Sequence, residues 1–364
     1  MAENILVLTN NFGGLHSFRK EVMQALLDAG YKVYISAPKG NFSDYFQSIG
    51  CEVIESQFER RGTNPIADLK QCLSYIKLIR GVKPKAVLTY TIKPNVYGGM
   101  ACRVCKVPQL ANITGLGDAV ETPGFLRKLT IMLYRIGLAK AKTVFFQNAY
   151  NRQFCLDKKM VKSPTVLLPG SGVNLNWHTI QPYPEEGVTR FIYVGRLLVQ
   201  KGCSELFTTI GKIKEKYGDS VEFHICGGCE DDYQKQLDEY VAKKYVIFHG
   251  RVSDVRPYYK EVHCNIMPSW HEGMSNVCLE SAAAGRPSIT TNVPGCKETV
   301  DDGVTGFLTE ARNEASLTEA VEKFIHLPYE TKKQMGLAAR SKVEKEFDRQ
   351  IVVEAYLKEI KSLS

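Results

Sequence analysis

Two cations and two carboxylates, each pair held in a short stretch of chain, are the residues here whose types and spacing suggest chemistry. Arg196 and Lys201 stand in one glycine-bounded stretch, Gly195-Arg-Leu-Leu-Val-Gln-Lys-Gly202. Arg offers a planar fork and Lys a point charge, a combination that suits a diphosphate. Glu272 and Glu280 bracket the start of a predicted helix, in which Ser275 or Asn276 caps a run through Val277, Cys278, Leu279, Ala282 and Ala283. Free N–H groups at such a start bind anions, and Gly273 lets a ligand approach the backbone closely. Amides from Gly273 through Met274 and Ser275 to Asn276, flanked by hydroxyl-accepting carboxylates, suit a phosphate joined to a sugar. Taken alone, the same acids also fit an ordinary capping residue and a solvated helix glutamate.

Three further stretches end predicted strands with small or polar residues. Gly13 and Gly14 would let amides approach a phosphate or sugar, and Gly227 in Cys226-Gly-Gly-Cys229 leaves room for a nucleotide. His249-Gly-Arg-Val252 could present backbone groups to a base. No two aspartates stand two apart, so a DxD metal motif is absent, and leaving-group charge falls to Arg, Lys and helix amides. Zinc held by the two CxxC pairs, Cys102/Cys105 and Cys226/Cys229, is the weaker reading. Neither a metal nor a cofactor is expected.

The elements that must carry these residues follow a repeating rhythm. Asn4–Leu8 is a short continuous apolar run, the mark of a strand buried on both faces of a parallel sheet. A turn at 9–14 and a helix over 17–29 follow, and the pattern recurs with strands at 32–37, 52–55, 86–90, 109–114 and 143–147. Residues 168–190 read as a linker, after which strands at 191–194, 221–226, 246–249 and 265–268 restart the alternation. This predicts an α/β chain of two Rossmann-like, doubly wound parallel-sheet domains facing across a cleft. The boundaries fall at 1–168 and 169–345, with a last helix, read over 340–360, that could pack on either domain and whose 346–364 part is a candidate to return to the first.

Bulk composition excludes other classes. The chain has 364 residues, 44% hydrophobic and 24% charged, and no uncharged apolar window long enough to span a bilayer. Met1-Ala-Glu-Asn runs straight into a strand, so neither a signal peptide nor a transmembrane span is expected, which points to the cytoplasm. A net charge of +8 spread along the chain favours anionic small molecules or a membrane surface over nucleic acid. Lys128, Arg135 and Lys142 recur every seven residues in 125–142, beside an apolar stripe of Leu126, Leu129, Leu133 and Ile136. Such a basic amphipathic helix suits peripheral contact with an anionic membrane, although burying one face in a Rossmann-type domain explains it equally.

The order of these stretches carries a resemblance. GRLLVQKG at 195–202, ICGG at 225–228, HGRVSD at 249–254, EGMSNVCLE at 272–280 and PGCKETVDDGVTGFL at 294–308 resemble a family 4 retaining glycosyltransferase of the GT-B fold. TNNFGGLHSFRKE, TIKPNVYGG and ITGLGD further resemble the bacterial subgroup that builds polyprenyl-diphosphate-linked glycans for capsules, O-antigens or glycoproteins. The resemblance implies transfer of a hexose or N-acetylhexosamine, from a nucleotide sugar such as a UDP-sugar, to a lipid-linked glycan acceptor. By it, Arg196 and Lys201 hold the donor diphosphate, Glu280 the ribose hydroxyls and Glu272 the transferred sugar. Gly13 and Gly14 would meet the donor phosphate and sugar. Where many relatives carry a His, this chain reads Asn112-Ile-Thr-Gly-Leu-Gly-Asp118, which leaves Asp118 or Thr114 for a polar role, with His16 and His271 as alternatives by loop position. A GT-B sugar-nucleotide 2-epimerase, a phosphorylase and an inactive nucleotide-sugar-binding scaffold are the rival readings.

Overall fold

The computed structural model describes residues 2–56, 65–116, 124–230 and 233–363. Asp118 lies outside them. The chain forms two compact units, Met1–Ser171 with Arg349–Ser364, and Gly172–Asp348.

Among the described residues, the first unit holds a seven-stranded sheet of β1 (Asn4–Leu8), β2 (Lys32–Pro38), β3 (Glu52–Ser56), β4 (Ala86–Tyr90), β5 (Gln109–Ile113), β6 (Thr143–Phe146) and β7 (Thr165–Leu167). Its order is β3-β2-β1-β4-β5-β6-β7, and every neighbouring pair is parallel. The continuous apolar run of β1 explains why it lies near the middle. Ile5 and Val7 pack with Phe12, Val22 and Leu26 of the Phe12–Asp28 helix and with Tyr356, whereas Leu6 and Leu8 pack with Tyr75 and Ile79 of the Pro65–Val82 helix. Alternate side chains thus bury against opposite helical layers.

The second unit repeats the plan with β8 (Thr189–Val194), β9 (Val221–Cys226), β10 (Ile247–Gly250), β11 (Cys264–Met267), β12 (Ser288–Thr291) and β13 (Gly306–Thr309), in the order β10-β9-β8-β11-β12-β13. All five pairings are parallel. Phe191 and Tyr193 join the core under the Cys203–Tyr217 helix, and Ile192 joins Tyr259 and Val262 on the other face. Both sheets are therefore doubly wound. Winding reverses between β1 and β4 in one unit and between β8 and β11 in the other, and ligands of such sheets bind where it reverses.

The structure corrects four expectations. The first helix starts at Phe12 rather than Ser17, because Asn11 Oδ1 accepts the Gly14 N–H at 2.6 Å and caps it. Gly13 and Gly14 consequently lie in a helical first turn. The basic helix ends at Gly137, so Lys142 lies beyond it and off the proposed stripe. The stretch read as one helix over 340–360 is two, Tyr329–Glu346 and Arg349–Lys361. The break at Phe347-Asp348 is imposed by tertiary contacts: Phe347 is buried beside Val173, whose N–H donates to the Phe347 carbonyl at 2.8 Å. Beyond the break, Arg349 pairs with Glu21 at 3.0 Å and Tyr356 stacks on Phe145 at 4.4 Å, which fixes the last helix on the first unit. Strands β7, β12 and β13 also went unread, being short and, in SITT and GFLT, partly polar. No helix among the described residues is long and apolar enough to cross a membrane.

Candidate active site

At the β8/β11 reversal of the second unit, the backbone is built so that only glycine fits at three contacts. A Cβ on Gly202, at φ +70°, would stand 2.0 Å from the Pro268 carbonyl oxygen, so the segment after β8 lies directly on the end of β11. A Cβ on Gly227 would meet the Gly195 carbonyl oxygen at 1.7 Å, and the Gly227 N–H donates to the Gly250 carbonyl at 2.7 Å. These two contacts draw the ends of β8, β9 and β10 together. On the far side, Gly295 at φ +84° would place a Cβ 2.2 Å from the Glu272 carbonyl oxygen.

Side chains complete the junction. Lys201 Nζ donates to Glu272 Oε1 at 2.5 Å, and Ser269 Oγ donates to the same oxygen at 2.8 Å. Both members of the ion pair are mostly buried, with 24% and 15% of their side chains exposed. Arg196 faces a different acid, donating to Glu230 at 2.9 Å, while Arg251 reaches the other Glu230 oxygen at 3.2 Å. Tyr193 Oη donates to the Arg196 carbonyl at 2.8 Å and holds that segment to β8. Spacing alone grouped Arg196 with Lys201; the fold gives each its own carboxylate.

Ser275, one of the two expected caps, occupies the position before the Asn276–Ala283 helix and accepts the Cys278 N–H at 3.4 Å. Its own N–H donates to the Gly295 carbonyl at 2.7 Å, so that amide is already engaged and leaves the expected anion-binding set. Gly14 is engaged likewise by Asn11. Met274 is buried among Leu279, Ala283 and Val343, so only its backbone can face a ligand. Glu280 sits in the body of the helix, partly buried, close enough to the enclosed Tyr259 to help raise that phenol's pKa beyond what burial alone does. Val252 packs against the Ile192–Tyr259 cluster.

His16 stacks on Phe42 at 4.2 Å and meets the edge of Tyr45 at 4.6 Å, and burial holds its pKa below the usual value, which fits a packing role. Among the described residues no group of three His, Cys, Asp or Glu gathers as a metal site. Two contributors escaped sequence reasoning. Gly295 stood only within the 294–308 stretch quoted for the resemblance, and Arg286 gave no signal, since its burial depends on carbonyls brought from elsewhere.

This geometry places two cations, the Glu272 carboxylate and a second carboxylate one helix turn in near the point where winding reverses, the place where doubly wound α/β sheets bind ligands. The model for glycosyl transferases group 1 matches residues 188–326, and that for glycosyl transferase 4-like domains matches residues 4–148. The N,N'-diacetylbacillosaminyl-diphospho-undecaprenol alpha-1,3-N-acetylgalactosaminyltransferase of Campylobacter jejuni is 22% identical over 372 residues, covering 96% of each chain. The capsular polysaccharide biosynthesis glycosyltransferase CapM of Staphylococcus aureus is 28% identical over 305 residues, covering 79% of each. The structure of Anabaena Alr3699/HepE in complex with UDP and glucose shares the fold, with a TM-score of 0.81 over 99% of this chain and 100% of that one at 15% identity. Two doubly wound parallel units, each matched by a glycosyltransferase model, identify the chain as a member of the family 4, group 1 glycosyltransferases with the GT-B fold.

Proposed function

We propose that this glycosyltransferase moves a hexose or N-acetylhexosamine from a UDP-sugar to a lipid-diphosphate-linked glycan, with retention of configuration and without a metal. The observation that carries the reading is the Lys201–Glu272 pair at the β8/β11 reversal. Lys201 and Arg196 take the donor diphosphate, and their charge grows in value as the glycosidic bond to phosphate breaks. Glu272 accepts sugar hydroxyls and Glu280 the ribose hydroxyls. Gly227 and the backbone around Val252 leave room for the base, while the amides of Gly273, Met274 and Asn276 face phosphate or sugar. Gly13, in the first turn of the Phe12–Asp28 helix, offers a further amide to an anion. Asp118 is proposed as the first unit's polar group toward the sugars.

The donor and acceptor classes draw on what the relatives bind. Anabaena Alr3699/HepE holds UDP and glucose, and the Campylobacter enzyme is named for an undecaprenol-diphosphate acceptor. A role in surface polysaccharide assembly at the inner face of the cytoplasmic membrane is consistent with the likeness to CapM and with Lys128 and Arg135 on the Phe125–Gly137 helix.

Incubation of the protein with a panel of UDP-sugars and a polyprenyl-diphosphate glycan, in EDTA, tests this. The expected outcome is UDP release matched by one-sugar extension of the acceptor, seen by mass spectrometry. Extension abolished by EDTA and restored by magnesium would overturn the metal-free step, and no extension with any UDP-sugar would overturn the donor assignment.

A further inference from the structure

The first unit contains a cavity of about 700 Å³, and it opens from the sheet's other reversal point. Asn10 follows β1, Thr91 and Lys93 follow β4, and Thr114 and Gly115 follow β5, and all five line one end. The remaining wall is of another character. Val96, Met100, Leu129, Leu133 and Tyr134 make most of it apolar, with Asn95 and Thr130 as polar members. Sugar hydroxyls would find few partners along that wall, whereas a hydrocarbon chain would lose water against it.

The polar end shows signs of a binding site. Asn112 is almost fully buried and lines the cavity, yet its Oδ1 lacks a hydrogen-bond partner, as does the enclosed Thr91 Oγ1. Thr91 also has φ +72°, a conformation that a β-branched residue rarely adopts and that marks local strain. Lys93 is held at this end by Asp68 at 3.0 Å, and Tyr97 Oη donates to the other Asp68 oxygen at 2.7 Å.

The apolar end reaches the surface. Leu69 and Leu126 both line the cavity while remaining 61% and 50% exposed. Ile66 and Leu73 continue the exposed stripe on one helix, and Phe125, 80% exposed, continues it on the other. Large apolar side chains concentrated in this way mark a surface that meets something apolar. Beside the Asp68 carboxylate, which is paired with Lys93, the Phe125–Gly137 helix is basic, with Arg127, Lys128 and Arg135 and no acid.

We propose that this cavity holds the hydrocarbon chain of the acceptor, with its diphosphate at the Lys93 end and the chain leaving between Leu69 and Leu126. The assignment rests on the lipid-linked-acceptor reading above and names the part of the first unit that recognises the lipid. An anionic head beside Lys93, an apolar body along Leu129 and Leu133, and a cationic helix beside the exit together describe an isoprenoid or alkyl diphosphate.

Calorimetric titration with farnesyl diphosphate and dimethylallyl diphosphate, which share a head and differ in chain length, tests it. Wild-type protein is expected to bind the longer chain at least tenfold more tightly. Leu129→Trp, which projects an indole into the cavity and narrows its apolar wall, should abolish that preference, and Leu69→Lys, at an exposed position that the fold tolerates, should reduce it several-fold. Equal affinity for the two probes, or a preference untouched by both substitutions, would overturn the proposal. Binding of inorganic diphosphate as tight as that of farnesyl diphosphate would do the same, by showing a plain anion site. UDP titrated against the same proteins reads the second unit separately: unchanged UDP affinity in both variants shows that the donor reading stands whatever the chain comparison gives.

Discussion

Lys201→Ala is expected to lower turnover about 100- to 1000-fold, corresponding to ~3–4 kcal/mol of lost transition-state stabilisation. Lys201 Nζ lies 2.5 Å from Glu272 Oε1, which holds the ammonium, while the close Gly202–Pro268 backbone approach fixes the segment that carries it. A preorganised cation of this kind contributes most when negative charge builds on the departing diphosphate, so kcat should fall further than donor affinity. The substitution also leaves the Glu272 carboxylate with Ser269 as a remaining hydrogen-bond donor, which adds an unfavourable charge where the diphosphate must sit. Steady-state kinetics at saturating donor gives the answer. A kcat within threefold of wild type would remove Lys201 from the chemistry. Stability should fall as well, by up to ~3–5 kcal/mol, because breaking a mostly buried ion pair leaves the Glu272 charge under-compensated, so kcat is read on protein shown by circular dichroism to be folded.

Arg286→Ala should destabilise the second unit by about 4 kcal/mol, within the range reported for breaking buried charged hydrogen-bond networks. The guanidinium is fully buried and donates to six carbonyls from three segments: Gln181 at 3.2 Å, Pro182 at 2.6 Å, Tyr259 at 2.8 Å, Lys260 at 3.3 Å, Ala284 at 3.0 Å and Gly285 at 3.4 Å. Burial pushes its pKa down to about 10, which leaves it charged at neutral pH. Removing it strands those acceptors away from water, and each stranded group costs free energy that local relaxation recovers only in part. Neighbouring contacts hold the same linker and limit the collapse. The Tyr329 hydroxyl donates to the Pro184 carbonyl at 3.0 Å, and His263, which burial pushes down to about 4 and so keeps neutral, bonds the Glu185 carbonyl at 3.2 Å. Urea denaturation read by fluorescence should show the midpoint falling with little change in slope. A loss below 1 kcal/mol would mean that the linker carbonyls find other donors.

These two residues show how unevenly the sequence discloses the molecule. Lys201 stands out as a cation in a glycine-bounded stretch after an apolar strand, although a solvated basic loop fits the same spacing and its pairing with Glu272 is not visible there. Arg286 does not, because its partners come from a linker a hundred residues earlier. Strands such as NILVL and AVLTY are legible since parallel strands buried on both faces need continuous apolar runs. SITT is not, although all four residues of β12 are buried, because its hydroxyls are satisfied by carbonyls such as Met267 and Thr290 Oγ1 hides among them. Local rules also compete. Gly13-Gly14 suggests a turn, but the Asn11 cap two residues earlier wins and draws both into the helix. At Phe347-Asp348 no Gly or Pro marks the break, which follows from burial of Phe347 in one unit and of Arg349 in the other. The same limit applies to the site. Ser275 was readable as a cap, yet the engagement of its amide by Gly295 depends on a turn twenty residues on.

The central claim, a UDP-sugar donor held by the second unit through Glu280 and the Lys201 segment, is tested most directly by calorimetric titration with UDP. The account predicts saturable one-to-one binding by the wild type and at least tenfold weaker binding by Glu280→Ala. Wild-type protein that takes up no UDP, or a Glu280→Ala variant that binds it as tightly as the wild type, would contradict it.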